Sequence, residues 1–143
     1  MSKTITIACD HAGYDLKNAL KKEILNMGFE VIDCGTNSSE SVDYPDFAKI
    51  AVDNILKKKS DIAVLICGSG IGMSITANRF NGIRAALCRK ADDAKLARQH
   101  NNANILTLSG RQIDVDEAKN CFKIFINTSY DGGRHQKRVK KID

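Results

Sequence analysis

The sequence has no tryptophan, a single proline (Pro45) and no apolar run near the roughly 18 to 20 residues that cross a bilayer. Linkers rich in glycine and serine, low-complexity tracts and internal repeats are also missing. These absences favour one domain spanning residues 1–143. The start of the chain lacks the apolar region of a signal peptide, so we expect a cytoplasmic protein with no membrane partner.

The cysteines lack the spacing of a metal cluster or a disulfide framework. No Cys-x-x-Cys pair occurs, and the odd number of thiols is widely scattered: Cys9, Cys34, Cys67, Cys88 and Cys121. We therefore expect reduced thiols.

The positive charge is concentrated at one end of the chain. The formal net charge is +5, and residues 134–143 hold five Lys or Arg and one Asp, which gives +4 in this segment alone. Aromatic residues make up only 6% of the sequence, so stacking of nucleic-acid bases on this segment is not expected. The composition indicates a local cationic patch and no nucleic-acid partner.

Five apolar segments alternate with stretches of helical periodicity. The segments are TITIAC (4–9), FEVIDC (29–34), DIAVLIC (61–67), IRAALC (83–88) and NILTLS (104–109). The first is followed by apolar residues three and four apart that stop at Gly28, and a helix is predicted from about Ile71 to Phe80. Continuously apolar strands are typical of parallel sheets covered on both faces. The pattern predicts a Rossmann-like α/β fold, a three-layer α/β/α sandwich with a five-stranded parallel sheet.

In such sheets ligands bind beyond the carboxyl ends of the strands. The residues that follow the predicted strands are therefore candidates: Asp10 and His11, Gly35 and Thr36, Gly68–Gly72, Arg89–Asp92, and Ser109–Arg111.

The loop after the third strand, CGSGIG, fits none of three familiar glycine or cysteine motifs. At position 73, where this chain has methionine, a dinucleotide-binding fingerprint would need glycine and a cysteine-based phosphatase would need arginine. No Gly-Lys-Ser/Thr follows, so the loop is not a Walker loop either. Gly68, Gly70 and Gly72 lead into a predicted helix whose free N–H groups attract negative charge. The same charge would favour the thiolate of Cys67, making it a candidate base. The alternative is that a cysteine is simply a small buried residue. We favour this alternative for the other four thiols and leave it open for Cys67.

The histidines lie in polar surroundings, and none has metal-ligand spacing, so no metal site is predicted. His11 follows a strand, which favours a role at the site, whereas for His100 and His135 the residues alone favour an ordinary surface position. Arg134 and Arg138 are four residues apart, so a helical tail would place them on one face, either as a phosphate-binding pair or as part of a solvated surface.

Five stretches together resemble the ribose/galactose isomerase family that includes ribose-5-phosphate isomerase B. They are CDHAG (9–13), SSESVDYPDFA (38–48), ICGSGIGMSITANRFNGIRAALC (66–88), RQHNNANILTLSGR (98–111) and GGRHQKRV (132–139). The resemblance runs nearly end to end. It implies a cofactor-independent aldose-ketose isomerase that interconverts ribose 5-phosphate and ribulose 5-phosphate through ring opening and an enediolate, with no metal.

The resemblance also implies roles for individual residues. Cys67 would move the proton from C2 to C1, His100 would open the ring, and Asp10 would assist at the ring oxygen or a hydroxyl. The developing oxyanion would be stabilised by Ser69 and by the loop amides of Gly68, Gly70, Ile71 and Gly72. Tyr44 and Asn101 would bind sugar oxygens. The phosphate would be held by His11, Arg111, Arg134 and Arg138.

The family builds its sites at a dimer interface, so the resemblance implies a homodimer, or a tetramer of paired dimers, in which a partner chain supplies some of these residues. One branch of the family uses a glutamate base at the position of Met73, whereas this chain has Cys67 and no such glutamate. The chain therefore resembles the cysteine-base branch.

Two alternatives remain open at this stage. The chain could act on hexose 6-phosphates such as those of allose or galactose, like other members of the family. It could instead be a sugar-phosphate-binding module without turnover, although that leaves the thiol at the loop and His100 without a role.

Overall fold

The computed structural model describes residues 3–143, so the first two residues of the predicted domain lie outside the described chain. The strands are β1 (Thr4–Cys9), β2 (Glu30–Asp33), β3 (Ile62–Cys67), β4 (Ala85–Leu87) and β5 (Ile105–Ser109). The helices are α1 (Tyr14–Asn26), α2 (Tyr44–Leu56), α3 (Ile71–Ala77), α4 (Ala91–Asn101), α5 (Val115–Asn127) and α6 (Gln136–Ile142). Short 3-10 turns span His11–Gly13 and Gly133–His135. No helix within residues 3–143 is both long and apolar enough to cross a membrane.

The five strands form one parallel sheet in the order β2-β1-β3-β5-β4. Strand β3 is central, and all six of its residues are buried. Its register places Ile66 beside Cys9 of β1 and Cys67 beside Ser109 of β5, so three strands end at the same level. The predicted five-stranded parallel α/β fold is confirmed.

Helices cover both faces of the sheet because the buried side chains of each strand alternate between them. On one face, Val64 and Ile66 belong to a core with α1, α4 and α5. On the other, Leu65 and Cys67 belong to a core with α2 and α3. The side chain of Cys67 thus faces the layer formed by α2 and α3.

Two predicted boundaries are wrong at the β4 edge. Strand β4 covers residues 85–87 rather than 83–88, and α3 ends at Ala77 rather than near Phe80. The amide of Asn78 explains both differences. Its Nδ2 donates to the Ala85 carbonyl at 2.9 Å, and its Oδ1 accepts from the Ala85 N–H at 2.7 Å. The Asn78 side chain thus forms the hydrogen bonds that a neighbouring strand would form with the free edge of β4, and these bonds hold the backbone in place where α3 ends.

The residues at the end of the chain lie at the amino edge of the sheet. Helices α4 and α5 run back from the carboxyl ends of β4 and β5, so both end at this edge, and α6 follows from there. The carboxylate of Asp143 accepts from the Gly82 N–H at 3.0 Å and from Arg84 Nη1 at 3.2 Å. These contacts fasten the end of α6 beside the start of β4.

A lysine is buried on α1, where the apolar periodicity predicted only its neighbours. Lys17 is 2% exposed, and its Nζ donates to both carboxylate oxygens of Asp33, at 3.3 and 3.0 Å, and to the Thr36 carbonyl at 3.0 Å. Lys21, more exposed, lies 3.0 Å from the same carboxylate. Burial opposes ionisation of Asp33, but hydrogen bonds from Lys17, the Gly35 N–H and Lys21 outweigh it and lower the pKa of this carboxyl.

We predict that Lys17→Met lowers the free energy of unfolding by about 2–4 kcal/mol, because it leaves the part-buried Asp33 carboxylate and the Thr36 carbonyl short of a donor. Urea unfolding measures the loss. The matched control is Lys21→Met, which removes the exposed partner of the same carboxylate and should cost about 1 kcal/mol or less.

This difference should depend on pH. The pKa of Asp33 is lowered by folding, so its contribution is complete above the unfolded value of about 4 and is lost as the pH falls through the folded value. Equal losses for the two variants at neutral pH would contradict the assignment of Lys17 as the principal partner.

Candidate active site

A cleft of about 420 Å³ opens at the carboxyl edge of the sheet, above β1 and β3. It is lined by Asp10, Tyr44, Cys67, Gly68, Ser69, Ile71, Gly72, Ile75 and Arg111. All of these except Ile75 are residues for which the sequence predicted a role. The residues that follow the strands account for most of this lining. Tyr44 was predicted only from the family resemblance, and Ile75, one turn after Ile71 on α3, is added by the structure.

Cys67 is the last residue of β3 and lies at the floor of this cleft. It is 4% exposed, and its carbonyl accepts from the Gly110 N–H at 2.8 Å, which continues the pairing with β5 past the end of the strand. The thiol therefore sits on a rigid element at the point where the cleft begins. A group held in this way is well placed for proton transfer to a bound molecule.

The glycine loop after Cys67 supplies unpaired backbone donors. Within the described chain, the N–H groups of Gly68, Ser69 and Gly70 form no hydrogen bond, whereas the Ile71 N–H donates to the Ser69 hydroxyl at 3.2 Å. Gly70 has φ +78°, and a Cβ there would collide with the Leu87 side chain. The loop thus combines a conformation that requires glycine with three amides free to bind an anion.

Asp10 is held at the cleft by the turn that follows β1. It is 5% exposed, and its Oδ1 accepts from the N–H groups of Ala12 at 3.0 Å and Gly13 at 3.1 Å. Its Oδ2 forms no hydrogen bond with the rest of the described chain. One oxygen is therefore used to orient the carboxylate, and the other is free for a ligand.

Two glycines allow this turn to approach the sheet. A Cβ at Gly13 would lie 2.6 Å from the Ile66 carbonyl oxygen, and one at Gly110 would lie 2.6 Å from the Ala12 carbonyl oxygen. The turn consequently fits against the ends of β3 and β5, and Asp10, which precedes the turn, lines the same cleft as Cys67. A larger residue at either position would push the turn away from the thiol.

His11 and Tyr44 are positioned by the segment between β2 and α2. His11 Nδ1 accepts from the Val42 N–H at 3.2 Å, so in the neutral ring the proton is on Nε2 and can be donated. Tyr44 begins α2, with Pro45 next in the first turn. Its ring lies against Gly72, where a Cβ would collide with it. Gly72 is thus the position that lets the Tyr44 ring form a wall of the cleft.

Arg111 places a cation at the rim of the cleft. Its N–H donates to the Gly68 carbonyl at 3.1 Å, and its Nη1 lies 3.1 Å from where a Cβ of Gly68 would stand. The guanidinium therefore covers the start of the glycine loop, while the residue as a whole is exposed. Such a fork of donors suits a phosphate or carboxylate.

Four other predicted residues lie at the amino edge of the sheet, away from Cys67. They are His100, Asn101, Arg134 and Arg138. A six-residue strand spans about 20 Å, so one chain does not bring these groups to the cleft. Arg138 Nη1 donates to the carbonyl of Arg134 at 3.0 Å, and both residues are exposed. Asn101 lines a second cleft of about 310 Å³ beside the start of β4.

A histidine pair at this amino edge was not predicted. The rings of His100 and His135 stack with centroids 4.3 Å apart and planes 16° from parallel. Each offers a nitrogen, and Asp131 a carboxylate oxygen, within 4.8 Å of the others. Desolvation, together with the charges of His100 and Arg134, lowers the pKa of His135. The two histidines are 35 positions apart, so residue spacing carries no signal of this cluster.

Of the remaining cysteines, Cys9, Cys88 and Cys121 are buried, and Cys34 is partly buried. Burial raises the pKa of Cys9 to about 11 and those of Cys88 and Cys121 to about 12. Burial and the nearby Asp33 carboxylate raise the pKa of Cys34 as well. At neutral pH these four side chains are therefore thiols with little nucleophilic character.

The chain is similar along its length to proteins of one enzyme family. The family model described as Ribose/Galactose Isomerase matches residues 5–142. A curated relative, ribose-5-phosphate isomerase B of Escherichia coli, is 42% identical over 140 residues, which cover 98% of this chain and 94% of the relative.

Solved structures show the same fold. A ribose 5-phosphate isomerase from Thermotoga maritima superposes with a TM-score of 0.97 at 54% identity, covering 98% of this chain and 97% of the other. Ribose-5-phosphate isomerase B from Mycoplasma genitalium, solved with bound ribulose 5-phosphate, gives a TM-score of 0.93 at 40% identity, covering 97% of this chain and 93% of the other.

We predict that iodoacetamide at pH 7.5 modifies Cys67 before any other cysteine of the folded protein. Cys67 lines an open cleft, whereas the other four thiols are depleted in thiolate by their raised pKa values. Peptide mapping by mass spectrometry gives the order of modification. The control is Cys34→Ala, which should leave the fast phase unchanged, and a fast phase that maps to Cys34 would contradict the prediction.

Proposed function

The chain belongs to the ribose/galactose isomerase family, and we propose that it interconverts ribose 5-phosphate and ribulose 5-phosphate by proton transfer at the Cys67 cleft. The observation that carries this proposal is the arrangement of a thiol, a free carboxylate oxygen and unpaired loop amides around one cleft of sugar-phosphate size. The reaction is an internal redox step, an aldose becoming a ketose, so no external oxidant or reductant is consumed.

Cys67 acts as the base in this proposal. Its thiolate removes the proton from C2 of the open-chain aldose, and the electron pair of that C–H bond forms the C1–C2 double bond of an enediolate. A proton then moves from the C2 hydroxyl to the C1 oxygen. The thiol returns its proton to C1, and C2 becomes the carbonyl of the ketose. One residue can do both transfers because C1 and C2 are adjacent.

The glycine loop stabilises the negative charge that appears on the sugar oxygen. The N–H groups of Gly68, Ser69 and Gly70 are already oriented and carry no competing acceptor within the described chain. Donors held in place before the reaction stabilise a developing charge without reorganisation. Ser69, whose hydroxyl oxygen accepts from Ile71, keeps its hydroxyl proton for the same purpose.

The rest of the cleft binds the ends of the substrate. Arg111 and the Nε2–H of His11 supply donors for the phosphate, and Asp10 Oδ2 accepts from a sugar hydroxyl or the ring oxygen during opening. Tyr44 forms the wall against which the sugar lies.

We further propose that the site is completed across a homodimer. The ring-opening acid and base would be His100 of the partner subunit, with Asn101 of the partner subunit on a sugar oxygen. Arg134 and Arg138 would likewise reach the phosphate from the second chain. Support comes from the separation of these residues from Cys67 within one chain, together with the exposure of Asn101, Arg134 and Arg138 and the partial exposure of His100 at the amino edge.

An exposed apolar face beside the cleft suits such a contact. Ile71 and Ile75 lie one turn apart on α3, are 47% and 62% exposed, and both line the cleft. Two adjacent aliphatic side chains at the mouth of a polar site are expected where a second chain covers them. A cytoplasmic location, which five free thiols suit, also remains our proposal.

We predict that Cys67→Ala lowers kcat for ribose 5-phosphate by at least about a thousandfold, since no other base lies in the glycine loop. Formation of ribulose 5-phosphate is followed with a chelator present. Cys34→Ala is the matched control and should retain turnover. Wild-type protein that turns over allose or galactose 6-phosphate but not ribose 5-phosphate would overturn the substrate, and normal turnover by Cys67→Ala would overturn the base.

We predict that Ile75→Asp yields a folded monomer without activity, because a carboxylate on this face cannot be buried against a second chain. Sedimentation velocity reports the assembly, and circular dichroism the fold. Leu25→Asp, on an exposed site of α1 remote from the cleft, is the control. A fully active Ile75→Asp protein would contradict the proposed interface.

A further inference from the structure

The amino edge of the sheet brings together a set of side chains with the chemistry of a transition-metal site. His100 is in the last turn of α4, His135 is in the turn before α6, and Asp131 is in the segment between α5 and that turn. Their two imidazole nitrogens and one carboxylate oxygen lie within 4.8 Å of one another. We propose that His100, Asp131 and His135 bind a divalent cation of the Zn²⁺ class, and that the bound ion inhibits the isomerase by occupying the imidazole of His100.

The donor set selects the class of ion. Two imidazoles and a carboxylate are suited to Zn²⁺ and its neighbours Co²⁺, Ni²⁺ and Cu²⁺, whereas Mg²⁺ and Ca²⁺ prefer oxygen ligands alone. Three protein ligands leave room for water in the fourth position of a tetrahedral ion.

The distances require only local adjustment. Zinc is bound by histidine nitrogen at about 2.0–2.1 Å, so the ligand atoms of a tetrahedral site lie about 3.3 Å apart. The present set must close by no more than about 1.5 Å, and the His135 ring must turn out of its stack on His100. Asp131 is exposed, and His135 is the last residue of a short turn that begins with Gly133, so these two side chains are free to move toward the ion.

The backbone keeps the three residues together before any ion binds. The Asp131 N–H donates to the Gln99 carbonyl at 3.0 Å, which fastens the segment carrying Asp131 to the residue before His100. The His135 N–H donates to the Gly132 carbonyl at 3.0 Å, which closes the turn that carries the second ring. The first bond joins the two segments that carry the ligands, and the second fixes the turn within one of them. The site is therefore held by tertiary contacts, which local sequence spacing does not reveal.

The inhibitory part of the inference rests on the proposed function, since it needs His100 as the ring-opening group. An imidazole nitrogen bound to a cation has no lone pair left to accept a proton. Binding of the ion itself does not depend on that function. The two parts can therefore be tested separately.

Zinc binding is measured by calorimetry on the chelator-treated full-length protein, without substrate, for the wild type, Asp131→Asn and His135→Gln. The control is Asp116→Asn, which makes the same change of charge on an exposed residue of α5. We expect one Zn²⁺ per chain, at least tenfold weaker binding in the first two variants and wild-type affinity in the control. Co²⁺ in place of Zn²⁺ should give no thiolate charge-transfer band.

Equal affinity in all four proteins would overturn the site, and a Co²⁺ thiolate band would assign the ion to a cysteine instead. In turnover assays with ribose 5-phosphate, the Zn²⁺ concentration for half-inhibition should rise at least tenfold in Asp131→Asn and His135→Gln, each relative to its own metal-free rate. Zinc bound at the cluster without inhibition would overturn the inhibitory role. Wild-type protein that binds zinc but has no isomerase activity would instead count against the proposed function, leaving the metal site intact.

Discussion

The central position of β3, with neighbours β1 and β5 ending at the same level, is the constraint on which the cleft depends. It places Cys67 at the end of a fully buried strand, and the glycine loop that follows lies between the ends of β1 and β5. Gly13 and Gly110 then decide how closely the turn after β1 approaches. A Cβ at either position would meet a carbonyl oxygen, so this turn can pack against the strand ends only because both residues are glycine.

The same arrangement explains why the proposed site needs two chains. A parallel sheet collects its loops at one edge and the ends of its helices at the other, so His100 and Cys67 are separated by the length of a strand. The carboxyl edge holds the Cys67 thiol, the free loop amides and Arg111, whereas the amino edge holds imidazoles and arginines. The exposed Ile71 and Ile75 lie on the cleft side of this division. A symmetric dimer would place the amino edge of each chain against the carboxyl edge of the other, which would complete two sites.

The sequence predicts the sheet and the cleft well because both follow from local rules. Continuous apolar strands indicate a parallel sheet, and the residues after each strand gather at one edge, which identifies Asp10, the glycine loop and Arg111. The end of α3 is wrong because it is determined by a hydrogen-bonded pairing of the Asn78 amide with Ala85, a contact outside helical periodicity. Lys17 and the histidine cluster are missed for a related reason. Their environment is created by Asp33 and by the segment after α5, which are distant in sequence.

The most direct test of the account is complementation between two inactive variants. Cys67→Ala and His100→Asn are purified separately, unfolded together and refolded as a mixture, with mixed dimers counted by native mass spectrometry from a mass tag on one of them. Random pairing makes half of the dimers mixed, and each mixed dimer has one of its two sites intact, so a site shared between two chains should restore about a quarter of wild-type turnover. Mixed dimers that form but remain inactive would contradict a site shared between two chains.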